Sequence, residues 1–139
     1  MKTFSVTKQL PVEAERVWAV LTDAAKLASG PTGITRLEGR IAPGEKVKLW
    51  TQATGDRPFS LQVTTFEPAR SLVWEGGMPL RLFWGVRRFT LTPNENGVQF
   101  EMSETFSGPL SGLIVKSIPD LTPSFETFTT GLLALAQKE

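Results

Sequence analysis

From Lys2 to Leu10 the chain alternates: Phe4, Val6 and Leu10 are apolar, and Thr3, Ser5, Thr7 and Gln9 between them are polar. A period of two marks a strand with one buried face. Pro11 suits the first turn of a following helix, where its missing N–H costs nothing. Ala14, Val17, Trp18 and Leu21 then form one stripe, which predicts an amphipathic helix over Val12–Leu21 with Glu13, Glu15 and Arg16 turned to water. The two glutamates also suit the positive end of the helix dipole. Thr22-Asp23 reads as the cap of a second short helix, Ala24–Ala28, which Ser29-Gly30-Pro31 stops.

The middle of the chain is strand and turn. Strands are predicted at Ile34–Ile41, Lys46–Gln52, Phe59–Phe66, Ser71–Glu75, Leu80–Thr92 and Gly97–Phe106. Pro43-Gly44, Gly55-Asp56, Glu67-Pro68, Gly76-Gly77 and Pro93–Gly97 separate them. Such short connections favour antiparallel hairpins, because parallel pairing needs long crossovers. In the tail, Ile114, Ile118, Leu121, Phe125, Phe128, Leu132 and Leu135 follow a helical spacing of threes and fours. Pro119 and Pro123 interrupt it, so the continuous helix is expected to start near Thr122-Pro123, after a looser lead-in from Ser107. A coiled coil is the competing reading, but the repeat is short and follows a β-rich region. This order predicts an α+β fold in one domain over residues 1–139: a curved antiparallel sheet wrapped around a C-terminal helix, an arrangement that tends to enclose a cavity.

Composition narrows the chemistry. The chain has 139 residues, 40% hydrophobic and 21% charged, with a formal net charge of +1. That is enough to bury a core without disulfides or metal, and the charge creates no field for nucleic acid or an acidic membrane. There is no His, no Cys and no Tyr. Thiolate metal sites, cysteine nucleophiles and triad hydrolysis with a His base are thereby excluded. No HExxH or DxD metal signal, no G-x-S-x-G elbow and no basic footprint for nucleic acid occurs. Neither a metal nor a cofactor is expected. Met1-Lys2-Thr3-Phe4-Ser5 lacks the apolar core of a signal peptide and no apolar run approaches membrane-spanning length, so the cytoplasm is the expected compartment.

The segment Pro11-Val12-Glu13-Ala14-Glu15-Arg16-Val17-Trp18-Ala19-Val20-Leu21-Thr22-Asp23 resembles the start of START-like proteins, in which a proline leads into a V-W-x-x-L-x-D helix. Gly85–Pro93 and Pro123-Ser124-Phe125-Glu126-Thr127-Phe128 are similar to small bacterial members of the same group, which includes polyketide cyclases and dehydrases, Bet v 1-like proteins and lipid-transfer domains. The resemblance implies a helix-grip fold, a seven-stranded antiparallel sheet gripping the last helix around an apolar cavity, with two short helices after the first strand. It speaks to scaffold more than to activity. Cyclase members are expected to fix a polyketide with Arg, Tyr, Trp or His, and two of those residue types are missing here. The Gly-rich loop of the plant relatives has no counterpart in Gly76-Gly77-Met78-Pro79, and iron-binding relatives would need His ligands.

The last hairpin carries the sharpest candidates. A turn at Pro93–Gly97 predicts a register with Leu91 facing Val98, Phe89 facing Phe100 and Arg87 facing Met102. Arg87 and Glu104 then lie diagonally on the concave face, with Gly85 opposite Glu104 leaving room. Two charges on an apolar face need each other or a ligand, so the pair is either a structural ion pair or a polar anchor for a ligand carboxylate or carbonyl. Trp18 falls on a core stripe, Trp74 suits a pocket wall, and Trp50 lies outside or at an edge. Leu82, Trp84 and Val86 form an outward stripe that suits a lid or dimer contact, which leaves a homodimer open. Glu75, Arg81 and Arg57 read as solvated rim charges, and Glu38 and Arg40 as outward ones.

The concave wall is expected from Phe59, Leu61, Val63, Trp74, Phe83, Phe89, Phe100, Met102 and Phe106, closed by Leu121, Phe125 and Phe128 of the last helix. A wall so apolar, with Arg87 and Glu104 as its charges, suits a small hydrophobic or amphipathic ligand such as a fatty acid, isoprenoid or polyketide. The alternatives are a cyclase or dehydrase-type enzyme, in which the charged pair polarises a carbonyl, and an interaction module akin to the chaperone activators of the superfamily. The mouth is expected beside residues 108–121.

Overall fold

A computed structural model describes residues 2–29, 32–51, 56, 58–117 and 120–138. Gly30, Pro31, Gln52, Gly55, Arg57, Ile118 and Pro119, which figured in the expectations above, lie outside the described residues. The elements run β1 (Lys2–Leu10), α1 (Ala14–Leu21), α2 (Ala24–Ser29), β2 (Ile34–Glu38), β3 (Lys46–Thr51), β4 (Phe59–Glu67), β5 (Ser71–Gly77), β6 (Trp84–Asn94), β7 (Gly97–Ser107), α3 (Ser111–Ile114) and α4 (Thr122–Gln137). The strands make one antiparallel sheet in the order β1-β7-β6-β5-β4-β3-β2, the curled sheet and long final helix of a helix-grip arrangement. Among the described residues no helix is long and apolar enough to cross a membrane.

The helices follow from local chemistry. Asp23 caps α2 by accepting the Lys26 N–H at 3.0 Å. Pro123 stands in the first turn of α4, and just before it the Asp120 carboxylate accepts the Thr122 N–H at 2.9 Å. Phe125, Phe128, Thr129, Leu132 and Ala136 form the buried stripe of α4. It packs against α1 and β1 and closes over the centre of the sheet.

Several boundaries differ from the sequence reading. The first helix begins at Ala14 rather than Val12, with Glu13 still extended. The strand from Ile34 ends at Glu38 because Gly39 turns the chain at φ 103°. Gly76 and Gly77 belong to β5 instead of forming a turn, and a Cβ on Gly76 would stand 2.2 Å from the Ser60 carbonyl oxygen. The strand expected from Leu80 starts at Trp84, because Pro79–Arg81 forms a tight turn.

The hairpin register is corrected by two residues. Leu91 pairs with Phe100, Phe89 with Met102, Arg87 with Glu104 and Gly85 with Phe106. Pro93, expected in the turn, stays in the strand and pairs with Val98. The Leu91 N–H points to the β5 side, where it donates to the Arg70 carbonyl at 2.8 Å. The nitrogen two residues on faces the same way, beyond the last β5 partner at Thr90, so a proline there forfeits no ladder bond. The turn contracts to Glu95-Asn96, with the Asn94 side chain accepting the Asn96 N–H at 3.1 Å. A shift of two keeps every side chain on its expected face.

Candidate functional site

Cross-strand pairing lays the concave face out in rows. One row holds Val6, Met102, Phe89, Leu72 and Phe66, and the next holds Phe4, Glu104, Arg87, Trp74 and Val63. Beyond it, Phe106 pairs with Gly85, and Gly85 pairs with Gly76. The face therefore changes character over three rows, from fully apolar, to charged at its middle, to bare backbone at its middle.

The first row is sealed. Met102, Phe89 and Leu72 have no exposure, nor do Phe100 beside them and Leu132 above them. Phe89 meets Trp74 edge-on at 5.1 Å, Phe100 at 6.2 Å and Phe128 at 5.6 Å between ring centroids. Each such side chain contributes about 1.5–3 kcal/mol by leaving water.

The second row holds the charges. The Arg87 Nη2 donates to Glu104 Oε1 at 2.9 Å, with the two side chains 19% and 13% exposed, so the pair lies mostly out of solvent. The guanidinium also sits over the Phe125 ring at 5.1 Å, a cation–π contact that draws the start of α4 onto the pair. Two buried donor atoms here have no acceptor among the described residues: Trp74 Nε1 and Arg87 Nε. Trp74 and Arg87 are direct cross-strand partners, so both donors belong to neighbouring side chains on one face. An unmet buried donor costs about 1–3 kcal/mol, so two side by side make this part of the face a candidate for a bound acceptor.

The third row is the open end. Gly85 lets the Phe106 ring and the Glu104 Oε2 lie low over the sheet, 3.3 and 3.6 Å from where a Cβ would stand. Phe106 stacks on Phe83 at 5.2 Å and meets Phe4 edge-on at 6.3 Å. Phe83, Leu61 and Leu121 are half-buried, and Phe59, first in β4, is 50% exposed. Around the rim, Leu80 and Arg81 both take left-handed backbone angles, φ 60° and 53°, a conformation that is strained for these side chains. The same turn is clasped to the segment before α3, where the Leu110 N–H donates to the Leu82 carbonyl at 2.9 Å. Leu80 and Leu113 project from this rim at 92% and 72% exposure.

The candidates from sequence thus divide. Trp74, Phe100, Met102, Phe125 and Phe128 lie in the core, Phe106 is buried at its border, and Phe83, Arg87, Glu104, Leu61 and Leu121 are half-buried. Arg87 and Glu104 face each other directly instead of diagonally. Phe4 was missed as a neighbour of Glu104, although its alternation with Val6 already placed it on the inner face. The Trp74 N–H was overlooked because a buried tryptophan is read first as an apolar wall.

Glu75 and Trp84, on the outer face, are tied together. Glu75 accepts from the Trp84 indole at 2.9 Å and from the Thr64 hydroxyl at 2.7 Å. Burial alone would raise its carboxyl, but these two bonds and the cations Arg81 and Arg88 outweigh it and hold the group below its ordinary value. Arg81 lies over the Trp84 ring at 4.4 Å, so that aromatic is less bare than the alternation implied. Trp50 likewise sits outside, under Arg36 at 5.0 Å. There are two open grooves: one of about 500 Å³ between α1, α2 and residues 39–42, and one of about 530 Å³ beside Lys46, Ser60, Glu75 and Trp84 that Leu61 and Gly76 also line. Neither touches the Arg87–Glu104 pair. No group of three metal-ligating side chains occurs among the described residues.

Comparison with known proteins agrees with this architecture. The family model described as polyketide cyclase/dehydrase and lipid transport matches residues 1–137. A solved structure from Mesorhizobium loti superposes with a TM-score of 0.75 at 19% identity, covering 99% of this chain and 98% of its own. One from Chromobacterium violaceum gives 0.73 at 17% over the whole of both chains. A hypothetical protein of Helicobacter pylori gives 0.76 at 16%, covering 96% of this chain and 86% of its own. At such identities the likeness concerns the fold alone. No functionally curated protein matches. The match over nearly the whole chain means that it belongs to the polyketide cyclase/dehydrase and lipid transport family.

Proposed function

We propose that this member of the polyketide cyclase/dehydrase and lipid transport family binds a small hydrophobic or amphipathic molecule at the open end of its concave face. The observation that carries the reading is a mostly buried ion pair, Arg87–Glu104, between a sealed aromatic core and a row with paired glycines at its middle. Burying two charges costs more than an apolar pair of the same volume, so stability alone does not account for them. Phe83, Phe106, Leu61 and Leu121 supply apolar contact beside the pair, and the charged groups fix orientation. Of the stretch 108–121 expected from the sequence, entry is proposed beside the described residues 108–117. There α3 has only four residues, and Gly108 turns the chain at φ 104°.

Native mass measurement on protein purified from its own host, joined to thermal denaturation with fatty acids, isoprenoids and aromatic polyketides, tests the proposal. A ligand at a hundredfold its Kd stabilises by about 2.7 kcal/mol, which raises Tm by roughly 5–10 °C in a chain of this size. An adduct-free protein whose melting none of these compounds changes would overturn it.

A second reading has one observation in its favour. Donors aimed at a bound carbonyl would also polarise it, as an enzyme of the cyclase or dehydrase type requires. Recovery of every bound compound unchanged after prolonged incubation would favour binding alone.

A further inference from the structure

We infer that the ligand is held through a neutral carbonyl oxygen that accepts the Trp74 Nε1–H and the Arg87 Nε–H together. The inference rests on the binding site proposed above and specifies its polar chemistry. Trp74 is 1% exposed, and its indole nitrogen and the Arg87 Nε are the two buried side-chain polar atoms without a partner among the described residues. Direct cross-strand pairing brings the two side chains side by side on the concave face.

Charge and hydrogen-bonding capacity select the ligand group. The guanidinium already has its counter-ion in Glu104, bound through Nη2 at 2.9 Å, so the row is neutral as it stands. A ligand carboxylate would bring a second negative charge beside Glu104, and the cation in the next row, Lys2, already lies over the Phe4 ring within the field of Asp120. A hydrocarbon would leave both donors unmet. A ketone, ester or amide oxygen has two lone pairs and no charge, which matches two donors on neighbouring side chains of a row with no net charge. The apolar remainder of the molecule would lie on Phe125, Phe106 and Phe83, which flank the pair.

Three probes of one shape decide the matter: 2-acetylnaphthalene, 2-ethylnaphthalene and 2-naphthoate, titrated at pH 7 by calorimetry. The ketone is expected to bind about tenfold more tightly than the hydrocarbon and the carboxylate, the worth of one to two hydrogen bonds to previously unmet donors. It should also shift the Trp74 indole N–H proton resonance downfield, that resonance being assigned by its disappearance in Trp74→Phe. In Trp74→Phe the ketone should lose about fivefold while the hydrocarbon is unchanged. Equal affinity of ketone and hydrocarbon, or tightest binding of the carboxylate, overturns the inference while leaving the binding site standing. So does an indole resonance already at its hydrogen-bonded position in the free protein and unmoved by the ketone, since water would then be the acceptor. Equal weakening of ketone and hydrocarbon in Trp74→Phe would reduce Trp74 to a packing role and overturn it as well. If none of the three binds, the proposed site falls and this inference with it.

Discussion

The two ends of the concave face are built from the same strands and covered by the same helix, yet they are different materials. At the β1 C-terminal end, Val6, Met102, Phe89 and Leu72 meet Phe128, Leu132 and Ala136 of α4, and no charged side chain intervenes. One row closer to the strand starts of β1 and β6 an ion pair replaces a methionine and a phenylalanine, and one row further Gly85 and Gly76 stand where side chains stood. Close packing makes the first end rigid and leaves it no room for anything else. The second gives up packing and keeps unmet polar atoms, which is the division of labour expected of a scaffold and a site.

That contrast can be broken at several points. The largest effect belongs to the sealed end: Phe89→Ala should destabilise by about 3–5 kcal/mol in urea denaturation, since its ring touches Trp74, Phe100 and Phe128. A cost below about 1 kcal/mol would mean that this end is not close-packed. Next comes the ion pair. Glu104→Gln, which strands the Arg87 guanidinium, is expected to cost about 2–4 kcal/mol, whereas Arg87→Met with Glu104→Leu should restore near wild-type stability. If the double variant also retained ligand affinity, the pair would be structural only.

Hydrogen exchange sharpens the comparison within one segment of chain. Amides of Phe125–Leu135 should open only with global unfolding, and those between 111 and 117 should open locally, at a cost lower by about 2 kcal/mol or more. Equal protection in both, unchanged with ligand, would remove the proposed entry route. The smallest effect lies on the outer face. Glu75 has a lowered carboxyl pKa in the folded protein, so its contribution is complete above the unfolded value and disappears as pH falls through the folded one. Stability measured from pH 7 to pH 3 should therefore decline at the acid end, and Glu75→Gln should flatten that decline while costing roughly 0.5–1.5 kcal/mol at neutral pH.

Most of the architecture was legible in the chain, because alternation and helical spacing are local signals. Phe4-Ser5-Val6-Thr7 reports a strand face without any partner, and Phe125, Phe128, Leu132 report a helix stripe in the same way. The faces of the last hairpin were legible for the same reason, and a register error of two residues left them intact. The register itself was not, since whether Pro93 sits in a turn or a strand depends on where β5 begins, and that is a fact about a different segment. Sequence likewise marked Arg87 and Glu104 as charges on an apolar face, but it took the assembled sheet to set them directly opposite each other.

By itself, then, the sequence determined the element order, the inward residues and the chemistry ruled out by the absence of His, Cys and Tyr, all of which follow from composition and short-range periodicity. Only the tertiary structure decided which inward residues are sealed and which stay half-buried, and that two donors, Trp74 Nε1 and Arg87 Nε, share a face without an acceptor among the described residues. Burial and hydrogen-bond satisfaction are properties of what surrounds an atom, and the surroundings here come from segments dozens of residues apart.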